Sequence, residues 1–170
     1  MTSHNDSVHG SEASAQHPRA FQVMVGDAVL NFQTVELRDP VPTGRQILNA
    51  AGASPVAEHL VFQWLANGPL KELGLDDTVD IRPGGVEKFL IFQSDRSFRF
   101  LLDDHQFEWG TKLVSGLVLK KLAKVNVETY GVWLEVRGGD DRKIADAEQV
   151  DLSAPGVERF FTGIVQTTEG

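Results

Sequence analysis

One eleven-residue segment occurs twice in this chain, as Val79-Asp80-Ile81-Arg82-Pro83-Gly84-Gly85-Val86-Glu87-Lys88-Phe89 and as Val150-Asp151-Leu152-Ser153-Ala154-Pro155-Gly156-Val157-Glu158-Arg159-Phe160. Six of the eleven positions are identical, and the copies are 71 residues apart. Self-similarity at a fixed spacing is the sequence signature of a duplicated structural unit. We therefore expect the 170 residues to hold two copies of one small domain.

Both units open with the same pair of predicted strands. Residues 21–25 and 98–102 carry the alternating pattern of a half-buried strand. Turn residues follow each strand, Gly26-Asp27 in the first unit and Asp103-Asp104 in the second. The predicted second strands return through Leu30 and Phe32, and through Phe107 and Trp109. Two adjacent strands joined by such a turn indicate a β-hairpin.

A helix is predicted next in each unit. Thr43 and Gln46 have the spacing of a capping box, and Gly52 is a typical C-terminal stop. In the second unit Ser115 takes the cap position, and Val114 before it has the spacing of a hydrophobic staple with Leu119. The predicted buried faces are Ile47, Ala50 and Ala51 in the first helix, and Leu119, Leu122 and Ala123 in the second.

Three further strands complete each unit. A central strand is predicted over residues 60–65 and 132–136, and a short segment then ends at Leu73 or Ile144. The final strand is predicted from Val86 to Phe92, and from Val157 to about Ile164. The order β-β-α-β-β-β in each unit predicts an α+β fold, in which one long helix covers one face of a mixed sheet.

The predicted domains occupy residues 20–93 and 97–165. Residues 1–19 are rich in Ser and His and are expected to form a disordered tail, and residues 166–170 a flexible C-terminal tail. Units of this size bury only a small core, so each alone should be marginally stable. The predicted core of the first domain consists of Val23, Phe32, Ile47, Phe62, Ile81 and Phe89.

Composition excludes several classes of function. The chain has no cysteine, which rules out a thiol nucleophile, a Cys-ligated zinc and a persulfide carrier side chain. Its net charge of −8 argues against nucleic-acid binding, which needs a basic face. No apolar run approaches the roughly 18 residues of a membrane span, and the N-terminal segment lacks the apolar region of a signal peptide. We therefore expect a cytoplasmic protein without nucleic-acid or membrane partners.

Individual residues give only weak indications of a site. Each Asp pair (Asp76-Asp77, Asp103-Asp104 and Asp140-Asp141) falls in a predicted turn, which explains Asp there better than a metal does. His59 and His105 lack a Ser or Asp partner at triad spacing. The Gly84-Gly85 pair resembles a phosphate-binding loop only superficially, because no helix follows it. Lys120, Lys121 and Lys124 are predicted to be solvated. Trp64, Trp109 and Trp133 are predicted to be core or partly exposed sheet residues, and an exposed one would be a docking anchor.

The repeats resemble the bacterial multi-ubiquitin domain family. The resemblance is carried by residues 21–27, by Thr43-Gly44-Arg45-Gln46-Ile47-Leu48 and by the closing segment 150–160, and it covers residues 20–166. It implies two tandem ubiquitin-like β-grasp domains. Such proteins are similar to the interferon-induced tandem ubiquitin-like modifier of vertebrates.

What this resemblance implies is a protein modifier, not an enzyme, with no cofactor of its own. Such a modifier is activated at its C-terminal glycine by an E1-like enzyme and passed by an E2-like enzyme to a target amine as an isopeptide. A JAB-type peptidase removes it. The bacterial systems are associated with antiphage defence, so phage structural proteins are candidate targets. Here Gly170 would be the conjugated residue, and Thr168 and Glu169 would be read by the activating enzyme or the peptidase.

Two other functions remain open at this stage. The chain lacks the Gly-Gly end of ubiquitin, and Glu169 stands where ubiquitin has a basic residue, which suggests a dedicated activating enzyme. A non-covalent adaptor would use the sheet faces of the tandem domains and leave the C-terminus idle. A sulfur carrier shares the β-grasp fold, although two fused domains and the missing Gly-Gly count against it.

Overall fold

The computed structural model describes residues 19–165. The first unit contains β1 Phe21–Gly26, β2 Phe32–Leu37, α1 Gly44–Ala50, a 3-10 turn Val56–Glu58, β3 His59–Trp64, β4 Leu70–Leu73 and β5 Lys88–Gln93. The second contains β6 Phe98–Leu102, β7 His105–Trp109, β8 Leu113–Ser115, α2 Gly116–Leu122, β9 Tyr130–Leu134, β10 Arg142–Ile144, β11 Gln149–Asp151 and β12 Glu158–Ile164.

Both units form a five-stranded mixed sheet with the same topology. The strand order is β2-β1-β5-β3-β4 in the first and β7-β6-β12-β9-β10 in the second. In each, the first and last strands pair in parallel and the other neighbours are antiparallel. The structure therefore confirms an α+β fold of two tandem β-grasp units. The expectation of a long helix is wrong, because α1 and α2 have only seven residues each.

The ends of the two helices follow the local sequence signals. Thr43 Oγ1 accepts from Gln46 N at 3.2 Å, and the Gln46 side chain accepts from Thr43 N at 2.7 Å, which confirms the capping box. Ser115 Oγ likewise accepts from Val118 N at 3.1 Å. Gly52 follows α1 with a φ of 77°, the left-handed conformation of a helix stop.

The repeated segment builds the turn that leads into the last strand of each sheet. Asp80 Oδ1 accepts from Arg82 N at 3.0 Å, and Asp151 Oδ1 accepts from Ser153 N at 2.8 Å. These are Asx turns, in which a carboxylate replaces a backbone acceptor. Phe89, eight residues after the buried Ile81, starts the core-facing side of β5, and Phe160 has the same role in β12. The eleven-residue segment recurs because each domain needs the same turn and the same buried phenylalanine.

The helix-facing core of the first domain differs in part from the predicted set. Val23, Ile47, Ile81 and Phe89 lie in one buried cluster between α1 and the sheet, as expected. The other buried apolar side chain of α1 is Leu48, which lies in the same cluster as Ile47, whereas Ala50 is exposed. The helix-facing cluster also contains Val25, Val35, Leu37, Val61 and Leu73.

Phe32 and Phe62 were assigned to this core, and the structure corrects both. Phe62 is fully buried, but it lies on the opposite face of the sheet with Leu90 and Phe92. Phe32 is half-buried on that face and stacks on Trp64 at 6.1 Å between ring centroids. Leu30, expected in the second strand, belongs to the turn before β2 and has a φ of 61°.

The second domain covers this opposite face of the first sheet. Phe92 lies 4.9 Å from Trp109 between ring centroids, and Gly110 lies against the Phe92 ring so closely that a Cβ there would overlap it. Two hydrogen bonds cross the same boundary: Glu72 N to Glu108 Oε2 at 2.9 Å, and Lys124 Nζ to the carbonyl of Ala66 at 2.9 Å. One buried cluster therefore runs from the first sheet into the core of the second domain.

Candidate partner-binding surface

The described fold ends where the predicted conjugation tail begins. Strand β12 ends at Ile164, and Val165 N donates to the carbonyl of Thr129 at 2.8 Å. Gly170, Thr168 and Glu169 lie outside the described residues, so their predicted roles remain predictions.

One Asp of each pair that was weighed as a metal ligand accepts hydrogen bonds within turns and loops. Asp103 accepts from Thr162 N and Thr162 Oγ1, both at 2.7 Å, and joins the β6–β7 turn to β12. Asp77 accepts from Gly74 N at 2.9 Å, and Asp141 from Val136 N at 3.2 Å. Across residues 19–165, no three His, Asp or Glu side chains converge in a way that could hold a metal ion.

The two histidines are also engaged locally. His59 Nδ1 lies 2.7 Å from the carbonyl of Pro55, and His105 Nδ1 lies 2.9 Å from the carbonyl of Asp103. Each ring is thus tied to the backbone of its own loop, and neither contact forms a nucleophile–base pair.

The lysines of α2 do not form the uniformly solvated face that was predicted. Lys120 is buried, and its Nζ lies 2.6 Å from Asp146 Oδ1 and donates to the carbonyl of Val127 at 3.2 Å. Lys121 and Lys124 are exposed. The prediction failed for Lys120 because the loop after the short helix folds back over it, and spacing along a helix does not reveal such a loop.

The two domains use the outer faces of their sheets differently. The offset of 71 residues places Trp133 at the position of Phe62 and Phe161 at the position of Leu90, and both pairs are direct neighbours in their sheets. Phe62 and Leu90 are fully buried by the second domain. Trp133 and Phe161 have no such cover within the described chain and are only half-buried.

Trp133 and Phe161 therefore form an accessible aromatic surface, the Trp133–Phe161 stack. Their ring centroids are 5.6 Å apart and their planes differ by 10°. Lys143 Nζ lies 5.8 Å from the Trp133 centroid. A partly accessible aromatic pair on a rigid sheet is typical of the anchors that dominate binding energy at protein interfaces.

Two glycines allow Trp133 to lie flat on the sheet. Gly131 and Gly163 are paired neighbours in β9 and β12, where the first domain has Leu60 and Phe92. A Cβ at Gly131 would lie 2.9 Å from Trp133 Cη2, and one at Gly163 would lie 3.3 Å from Trp133 Cζ3. The second domain thus has two glycines where the first domain has Leu60 and Phe92, and the Trp133 indole occupies the space above them.

The rim of the Trp133–Phe161 stack carries both signs of charge. Arg159 Nε lies 3.4 Å from Glu135 Oε2, and Arg159 Nη2 lies 3.7 Å from Asp104 Oδ1. All three side chains are about half exposed or more, so these pairs contribute little to stability. A polar, exposed rim around an apolar centre is the usual anatomy of a protein-binding site.

Comparison with known families agrees with the duplicated architecture. The sequence model of the multiubiquitin family matches twice, over residues 27–94 and 98–163. The chain belongs to the multiubiquitin family. The first match in this multiubiquitin chain spans β2 to β5 and omits β1, and the second runs from the start of β6 into β12. Ubiquitin-like domains are typically non-enzymatic. No curated protein is similar enough to count as a relative.

The sequence predicted core or partly exposed sheet positions for the three tryptophans and did not say which of them a partner could reach. Trp109 is fully buried, whereas Trp64 and Trp133 lie on outer sheet faces. A comparison of the two units at the offset of 71 shows a usable signal, since Leu60 and Phe92 correspond to Gly131 and Gly163. Within residues 19–165 of this multiubiquitin chain, no helix is long and apolar enough to cross a membrane.

Proposed function

We propose that this multiubiquitin chain is a ubiquitin-like protein modifier that acts in the cytoplasm, in antiphage defence. The observation that carries the proposal is the family match over both β-grasp domains. The absence of cysteine agrees with it, because a modifier supplies only a carboxylate and leaves nucleophilic catalysis to its partners.

The proposed chemistry takes place at the Gly170 carboxylate. An E1-like enzyme joins this carboxylate to the α-phosphate of ATP and releases pyrophosphate. A partner's cysteine thiolate then displaces AMP to form a thioester, and an E2-like enzyme transfers the acyl group to a lysine amine of the target. A JAB-type peptidase hydrolyses the isopeptide. Glycine suits this position because it has no Cβ to crowd a narrow partner site.

Reconstitution tests the proposal. The chain is incubated with ATP and with candidate E1-like and E2-like proteins from its own genome, and tryptic products are searched by mass spectrometry for a Gly170–lysine isopeptide. The expected product disappears on deletion of Gly170, whereas Glu169→Ala should have a milder effect. Conjugates formed by the deletion variant would contradict the role of Gly170, and their absence with the intact chain would contradict the modifier function.

A non-covalent adaptor is the second candidate, and the Trp133–Phe161 stack favours it. This stack leaves one sheet face of the chain open to a partner, while the first domain's equivalent face is buried. If no Gly170 adduct forms but Trp133→Ala releases a partner that the intact chain retains, the adaptor function replaces conjugation.

A further inference from the structure

A second surface lies at the junction of the two domains. A cleft of about 530 Å³ is lined by Trp64, by the turn at Gly84 and Gly85, and by Lys88, Lys121 and Lys124. The first four belong to the first domain, and the last two belong to α2 and the residues after it. Its volume is within the range of sites that hold small ligands or short peptide segments.

Three positive charges line this cleft in a chain whose net charge is −8. Within residues 19–165, none of the three lysines has a carboxylate oxygen within 4.0 Å of its Nζ. One carboxylate, that of Glu87, also lines the cleft, and it accepts from Gln63 Nε2 at 3.3 Å. The cleft is therefore locally basic.

Two of the three lysines lie over one indole ring. Lys88 Nζ lies 5.5 Å from the Trp64 centroid, and Lys124 Nζ lies 5.7 Å from it. Lys124 also donates to the carbonyl of Ala66, which fixes its position at the domain boundary. The apolar face of Trp64 and the positive charges of the lysines thus lie side by side. This arrangement exists only when the two domains are packed together.

We propose that this cleft binds an extended acidic segment of a partner protein, with an apolar residue on Trp64 and carboxylates on the lysines. The turn at Gly84 and Gly85 leaves room for a peptide backbone, because a Cβ at either glycine would have no heavy atom within 4 Å. A long nucleic acid would extend beyond the basic cleft over the rest of this acidic chain, which would repel it, whereas a short acidic segment stays within the cleft. The proposal does not depend on Gly170.

Fluorescence anisotropy tests the proposal on the full chain. The probe is a fluorescein-labelled peptide, Glu-Glu-Leu-Glu-Glu, compared with the same peptide carrying Gln in place of Glu. The test variant is Lys88→Gln with Lys121→Gln, two exposed residues whose change should leave the fold intact. Lys71→Gln with Lys112→Gln is the matched control, because both are exposed lysines that do not line the cleft.

Saturable binding of the Glu peptide is expected, weakened about 3- to 10-fold in the double variant, since each exposed ion pair contributes modestly. The Lys71→Gln, Lys112→Gln control should bind as the unaltered chain does, and the Gln peptide should not bind. Three results would overturn the proposal: no saturable binding, equal weakening by the control variant, or competition by ATP or a short single-stranded DNA as strong as by unlabelled peptide.

Discussion

At the scale of single residues, the two copies of the repeated segment differ in what holds their Asx turns. The Arg82 side chain donates to both carboxylate oxygens of Asp80, at 2.9 and 2.7 Å. This hydrogen bonding lowers the pKa of Asp80 to about 2. Asp151 has the Ser153 hydroxyl in place of the arginine side chain, and this hydroxyl, together with the Ser153 backbone N–H, also lowers the pKa of Asp151.

Arg82→Ala should raise the pKa of Asp80 from about 2 toward its ordinary value of 3.8. A carboxyl whose pKa is depressed in the folded state stabilises the fold above its unfolded pKa, and this contribution is lost as pH falls through the folded pKa. As pH falls, the Arg82→Ala variant should therefore lose the stabilisation by Asp80 at a higher pH than the unaltered chain does. A carboxyl ¹³C NMR titration measures the shift, with Asp151 as the internal control. An unchanged Asp80 titration would contradict the role assigned to Arg82.

At the scale of elements, the capping residues predicted where the helices start, whereas the alternation of the strands did not predict what each strand face contacts. Thr43, Gln46 and Ser115 act within a few residues of themselves, so the helix starts follow from spacing alone. The face that Phe62 occupies did not follow, because an alternating strand specifies two faces but not which of them meets a helix. Phe62 lies on the side of the second domain. Both faces of β3 are buried at this point, because Val61 lies in the helix-facing cluster.

Gly163→Val tests how the open sheet face is built. The new side chain would occupy the space of the Trp133 indole, and such overpacking typically costs about 1–3 kcal/mol. We expect a lower free energy of unfolding in urea and a shifted indole N–H resonance for Trp133. Ile164→Val, at an exposed neighbouring position, is the control and should change neither. If Gly163→Val left both the stability and the Trp133 resonance unchanged, the position of the indole would not depend on this glycine.

At the scale of the whole molecule, the duplication was evident from the sequence and the packing of the copies was not. The repeated segment and the short connection between β5 and β6 required two neighbouring domains. Nothing in either strand pattern said that Phe92 of the first unit would lie on Gly110 of the second. The offset of 71 shows that the first unit has Phe92 where the second has Gly163, but it does not show which residue of the second unit Phe92 contacts. The predicted tails and Gly170 lie outside the described residues.

The packing gives the two copies different roles. The first domain uses its outer sheet face to hold the second, and the second domain keeps its own outer face open. The basic cleft beside Trp64 exists only because the two copies meet. The central claim is therefore that the two domains form one body through the covered face of the first sheet.

The measurement that tests this claim most directly is a nuclear Overhauser contact between the Phe92 ring and the Trp109 indole in the full chain. The ring centroids are 4.9 Å apart, so cross-peaks between the two side chains, and between Phe92 and the Gly110 α-protons, are expected. Phe92→Ala should remove them and lower the free energy of unfolding by about 3–5 kcal/mol. Absence of these cross-peaks in the unaltered chain, with the two domains tumbling independently, would contradict the account.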